Sequence, residues 1–87
     1  MSTIGAHMPE LEALSDSFRR ESRTVGQLVS TIGGQVNSTW WKGGAADRFR
    51  SSWETEFAPT MRRLELALEE ASTHIRKKHG DFQHVGG

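Results

Sequence analysis

Apolar residues in this chain recur every three or four positions in two long runs, and Trp41-Lys42-Gly43-Gly44 breaks that rhythm once, at the midpoint. The first run is Leu11, Leu14, Phe18, Val25, Leu28, Ile32 and Val36. The second is Ala46, Phe49, Trp53, Phe57, Met61, Leu64, Leu68, Ala71 and Ile75. Steps of three and four place side chains on one side of an α-helix, and neither run alternates as a half-buried strand does. The spacing predicts an all-α fold, an antiparallel two-helix hairpin with a Trp-x-Gly turn. Positions 11, 18, 25 and 32 form a seven-residue column with 14 and 28 beside it, a stripe suited to coiled-coil-like antiparallel packing.

The end signals agree. Pro9 suits a first helical position, where its missing N–H costs nothing, and Glu10 and Glu12 complement the positive pole of the helix. Arg76-Lys77-Lys78-His79 suit the negative pole of the second helix, and Gly80 suits a left-handed cap. The expected organisation is a flexible N-terminus over 1–8 and a hairpin over 9–79, followed by a flexible tail over 80–87. Within the hairpin, helix 1 covers about 9–39, the turn 40–44 and helix 2 about 45–79. Gly43 is expected in the left-handed conformation that ends helix 1. Gly33-Gly34 reads either as a bend near the helix end or as a close-approach surface for another helix. Pro59 should kink helix 2, because its ring meets the carbonyl of Thr55.

Composition narrows the function classes. Eleven basic residues balance eleven acidic ones, which argues against a nucleic-acid binder. Without Cys there is neither a disulfide framework nor a thiolate metal site. His74, His79 and His84 are spaced by five, whereas helical ligand pairs need three or four. Glu69-Glu70 are adjacent and point in different directions, and Gly43-Gly44 lacks the Lys and Ser/Thr of a phosphate loop. The reading is a non-enzymatic protein with no cofactor, no metal and no small-molecule ligand. No apolar run is long enough to span a membrane, and Glu10 and Glu12 stand where a cleaved export signal would need its apolar stretch. A hairpin of this size buries only a thin strip, and three Trp with four Phe are a heavy aromatic load for it. Docking a second hairpin to make a four-helix bundle would use that surplus.

Trp41 spends a large amphipathic ring at a turn. Either it caps the end of the bundle, or it is an aromatic anchor displayed to a docking protein. Trp41-Lys42-Gly43 at the centre of a short Cys-free hairpin, followed by Ala45-Ala46, Phe49, Trp53, Phe57 and Pro59, resembles the WXG family, the early-secreted-antigen-like substrates of type VII (ESX) secretion. The resemblance spans about residues 9 to 82. It implies export without a cleaved signal peptide, as a folded dimer of two hairpins that leaves the cytoplasm through a membrane machine driven by an ATPase. It identifies Trp41 and Gly43 as the turn and secretion motif. The dimer and core interface would then comprise Leu11, Leu14, Phe18, Val25, Leu28, Ile32, Phe49, Trp53, Phe57, Met61, Leu64, Leu68 and Ile75. It also implies a Tyr-x-x-x-Asp/Glu signal after helix 2. The chain departs from that pattern, with Phe82 at the aromatic position and Gly86 at the acidic one. The departure favours a heterodimer over a homodimer, the partner carrying the signal. Rival readings are a targeting or chaperone-like module for a co-secreted toxin, and a membrane-active effector, for which nothing in the narrow, charge-interrupted stripes speaks specifically.

Overall fold

A computed structural model of the chain describes residue 5 and residues 7–86, with side chains as far as Lys77. Helix α1 runs Met8–Ser38, with Pro9 in its first turn as expected. Helix α2, Gly44–Ser52, passes through a π turn, Trp53–Phe57, into α3, Ala58–Gly86. The α1 and α3 rods lie side by side, giving a molecule 65 × 19 × 18 Å in extent. Among the described residues there is no strand. The chain is a helical hairpin.

The π turn answers Pro59. Positions 49, 53, 57 and 61 place four apolar residues in three steps of four, twelve residues where three α-helical turns use ~10.8. The surplus residue would swing the stripe off its face. Widening one turn absorbs it: the Ala58 N–H bonds to the Trp53 carbonyl, five residues back. The same widening opens the ladder just ahead of Pro59, which has no N–H to offer. In place of the expected kink the helix carries a one-turn bulge.

The seam between the helices is built from small residues. On α1 it consists of Ser15, Ser22, Gly26 and Val29, with Ala46 and Ser72 buried opposite. Ser15 Oγ donates to the Ser72 carbonyl at 3.0 Å, and Ser72 Oγ donates to the Ser15 carbonyl at 2.8 Å. Seven residues along, Ser22 Oγ donates to the Glu65 carbonyl at 2.8 Å. A Cβ on Gly26 would lie 2.5 Å from a Glu65 carboxylate oxygen, so the Glu65 side chain reaches over this glycine. No buried side-chain nitrogen or oxygen among the described residues lacks a partner. The polar seam therefore carries no unsatisfied group, the condition under which buried hydroxyls are not destabilising.

This corrects the stripe expected from hydropathy. The facing column is 15, 22 and 29, one step round the helix from 11, 18, 25 and 32. Leu14, Leu28, Ile32, Phe57 and Leu64 stand 37–47% exposed beside it. Hydropathy could not mark the seam, because Ser scores as a surface residue and is buried here only through reciprocal bonds to backbone. The glycines also differ from expectation. Helix α1 continues through Gly33-Gly34; a Cβ on Gly33 would lie 3.5 Å from the Trp53 indole nitrogen, an ordinary contact, and one on Gly34 would meet nothing within 4 Å. Helix α3 runs through Gly80, where a cap was expected, to Gly86.

Replacing Ser72 with Leu should force the seam apart and destabilise the hairpin by ~1–3 kcal/mol. Ser72→Ala should cost about 1 kcal/mol, the net worth of the lost bond. Urea unfolding of the two variants checks the order; a Leu variant as stable as wild type would mean that the seam is loosely packed.

Candidate functional site

The tip of the hairpin is where the sequence departs from helix. Helix α1 stops at Thr39, whose φ of −70° and ψ of 129° turn the chain extended. Its N–H bonds to the Gln35 carbonyl at 2.9 Å, and its hydroxyl donates to the same oxygen at 2.6 Å. Gly43 is therefore not the left-handed end of helix 1, as the sequence suggested. It is the N-cap of α2, with φ +118° and ψ 176°. That combination is nearly exclusive to glycine, since a Cβ would collide with its own backbone. Asp47 sits in the first turn of α2 and its N–H closes on the Gly43 carbonyl at 3.1 Å.

Arg50 holds this turn, and sequence reasoning missed it. Its Nε donates to the Val36 carbonyl at 3.1 Å, one Nη to the Trp41 carbonyl at 2.9 Å and the other to the Thr39 carbonyl at 2.9 Å. No basic residue lies in the last turn of α1 itself, so the cation at its negative pole comes from the next helix. The signal that could have found it is positional: an Arg two turns past a Trp-x-Gly turn can fold back over the preceding helix end.

The two tip indoles are placed differently. Trp41 packs on the Phe49–Ile75 stripe, with ring centroids 5.8 Å from Phe49 at an interplanar angle of 48°. Phe49 in turn lies 6.2 Å from Phe57. This tilted row carries the apolar surface from the tip onto the body of the hairpin. Trp41 remains 42% exposed, but Trp40 is 84% exposed and takes no part in the row. Trp40 was not singled out in the sequence because the Trp-x-Gly pattern drew attention to its neighbour.

The row leads into a groove of about 520 Å³ lined by Leu28, Ile32, Trp53, Glu56, Phe57, Thr60 and Met61. Of the expected interface residues, Leu28, Ile32, Trp53, Phe57 and Met61 meet in this groove, Leu14 and Leu64 are exposed, and Leu11, Phe18, Val25, Leu68 and Ile75 are half-buried. Elsewhere Arg19, Ser22 and Arg23 of α1 face Glu65 and Glu69 of α3, and Leu66, 57% exposed, lies beside Glu69. Phe82 and Gly86, the expected tail-signal positions, lie beyond the residues whose side chains are described. Among the described residues no group of His, Asp and Glu could hold a metal, and no helix is long and apolar enough to cross a membrane.

Two glycine substitutions should act with opposite sign. Gly43→Val forces a β-branched residue into a glycine-only conformation and should lower stability by ~1–3 kcal/mol. Gly34→Ala lies inside a continuous helix with nothing within 4 Å of the new methyl group, and should raise stability by ~0.5–1 kcal/mol. Thermal melts followed by circular dichroism check both signs.

Comparison with known proteins places this architecture. Among curated proteins and among solved structures, no match is significant. A family model, WXG100, described as proteins of 100 residues with WXG, matches residues 3–86 and so takes in the whole hairpin with its Trp-x-Gly tip. The chain belongs to the WXG100 family.

Proposed function

We propose that this protein is a non-enzymatic substrate of a type VII secretion system, exported as one half of a pair of hairpins whose tips are read by the export machine and its ATPase. The family is one of small secreted helical proteins that form dimers with one another. The observation that carries the reading is the apolar flank. Leu14, Leu28, Ile32, Phe57 and Leu64 are each 37–47% exposed, and Leu28, Ile32 and Phe57 line the groove at Trp53. A surface of that kind marks an interface. Covering it with a second hairpin makes a four-helix bundle and leaves the tip in solvent.

A second copy of this chain fits that flank. Ser15 is level with Ser72 and Ser22 with Glu65, so residue 23 of α1 is level with Leu64 of α3. Leu14 and Ile32 lie nine residues either side of 23, and Phe18 and Leu28 five either side. On α3, Phe57 and Ala71 lie seven either side of Leu64, and Met61 and Ala67 three. A two-fold axis crossing the flank at that level would set Leu14 against Ile32, Phe18 against Leu28, and the bulky Phe57 and Met61 against Ala71 and Ala67. Such self-complementarity is what an isologous interface requires. It outweighs the earlier preference for a different chain, which rested on Phe82 and Gly86 alone.

Because the chain has no Cys, single cysteines report this geometry without ambiguity. Leu64→Cys should form a disulfide between copies, and mixed Leu14→Cys and Ile32→Cys chains should cross-link to each other. Ser30→Cys, on the polar side, should not. A dimer that forms without the Leu64 cross-link, or a chain that sediments as a monomer at micromolar concentration, would reject the second copy as partner. Export is tested separately, by comparing culture supernatant with cell lysate. Trp41→Ala should lose about 0.5–1.5 kcal/mol with its Phe49 contact, keep the dimer and abolish export. Wild-type levels in the supernatant would reject the tip as the determinant that is read.

A further inference from the structure

Between Thr39 and Gly43 the backbone has little to hold it. Outside the helices, the backbone–backbone hydrogen bonds at the tip are Thr39 N–H to Gln35 and Asp47 N–H to Gly43, and neither reaches residues 40–42. What ties those residues is the Arg50 guanidinium. By binding the Thr39 and Trp41 carbonyls at 2.9 Å each, it fixes the peptide before Trp40 and the peptide after Trp41. Its third bond, to Val36, anchors the same plane to the last turn of α1. Trp41 is then directed onto Phe49, while Trp40 is left 84% exposed with its ring unpaired among the described aromatic contacts.

We propose that Trp40 is the side chain by which the tip is read, and that Arg50 is the positioning residue that presents it. This rests on the tip being the export determinant. An exposed indole is costly to leave in water and is enriched at binding hot spots, and a rigid mount spares a receiving surface the entropy of ordering it. Trp41 is half committed to the aromatic row that enters the dimer flank, so the side chain left free for a third protein is Trp40. The clamp depends on the planar fork of arginine. A lysine carries the same charge on one nitrogen and cannot bond three carbonyls spread over Val36, Thr39 and Trp41. Two of the three bonds are exposed, so the carbonyls they release can turn to water and the hairpin itself should survive the loss.

The test compares Trp40→Ala and Arg50→Lys with wild type in three measurements: export into the supernatant, dimer mass, and backbone order of residues 40 and 41 by nitrogen-15 relaxation. Both variants should cut export by about tenfold or more, as loss of a hot-spot contact does, with dimer mass and melting temperature little changed. In Arg50→Lys the order parameters of the two tip amides should fall from the rigid range near ~0.85 toward ~0.6, with the helices unaffected. Normal export of either variant, a rigid tip in Arg50→Lys, or loss of the dimer on that substitution would each overturn the proposal. If Trp41→Ala and Gly43→Val block export while Trp40→Ala and Arg50→Lys pass, only this inference falls. If all four are exported normally, the reading of the tip itself falls with it.

Discussion

The reciprocal bonds between Ser15 and Ser72 govern the rest of the molecule, because they decide which side of each helix faces the other. Two hydroxyls that each donate to the opposite backbone carbonyl, at 3.0 and 2.8 Å, can do so only if the helices approach over side chains no larger than serine. Ser22 against the Glu65 carbonyl repeats that close approach further along. Once the small residues are turned inward, the large ones cannot be. Leu14, Leu28, Ile32, Phe57 and Leu64 are left exposed, while Arg19 and Arg23 face Glu65 and Glu69. The hairpin thus satisfies the buried polar side-chain atoms of its described residues internally and leaves much of its hydrophobic surface exposed; under the proposed pairing, that surface is buried on association. This is a way for a short chain without disulfides to couple its stability to a partner.

The π turn makes that flank continuous. Without it the four-residue steps through Phe49, Trp53, Phe57 and Met61 would rotate the apolar side chains off the shared face by more than one residue. With it, Phe49 and Phe57 stay in line 6.2 Å apart, and Trp41 joins them from the tip. The groove and the tip are therefore not separate features. One aromatic row runs from the groove beside Trp53 to the turn, and only Trp40 stands outside it.

At the tip, glycine and arginine divide the work. Gly43, at φ +118°, supplies a direction of the chain that other residues do not tolerate. Arg50 supplies the bonds that an irregular turn lacks, from a position that α2 places back over the end of α1. Surface ion pairs contribute less. Arg76 and Asp16 meet at 2.8 Å across the open end of the hairpin, but both side chains are about half exposed, where such a pair is worth little.

The sequence by itself determined the helices, the turn, the class of fold and the family. Those follow from local rules, namely apolar spacing of three and four, Pro9 at a helix start and Trp41-Lys42-Gly43 at the break. It also contained the apolar side chains of the groove, since Leu28, Ile32, Trp53, Phe57 and Met61 meet there. What it did not reveal was which face of each helix would be inside. Hydropathy ranks leucine above serine for burial, and that ranking fails where two serines bind backbone across 57 residues of chain. The part played by Arg50 was hidden for the same reason. Its three acceptors are main-chain oxygens 9 to 14 residues away, and no side-chain pattern marks a carbonyl. Only the tertiary structure could decide these points, because they depend on how closely two helices pack, and that distance is a property of the pair.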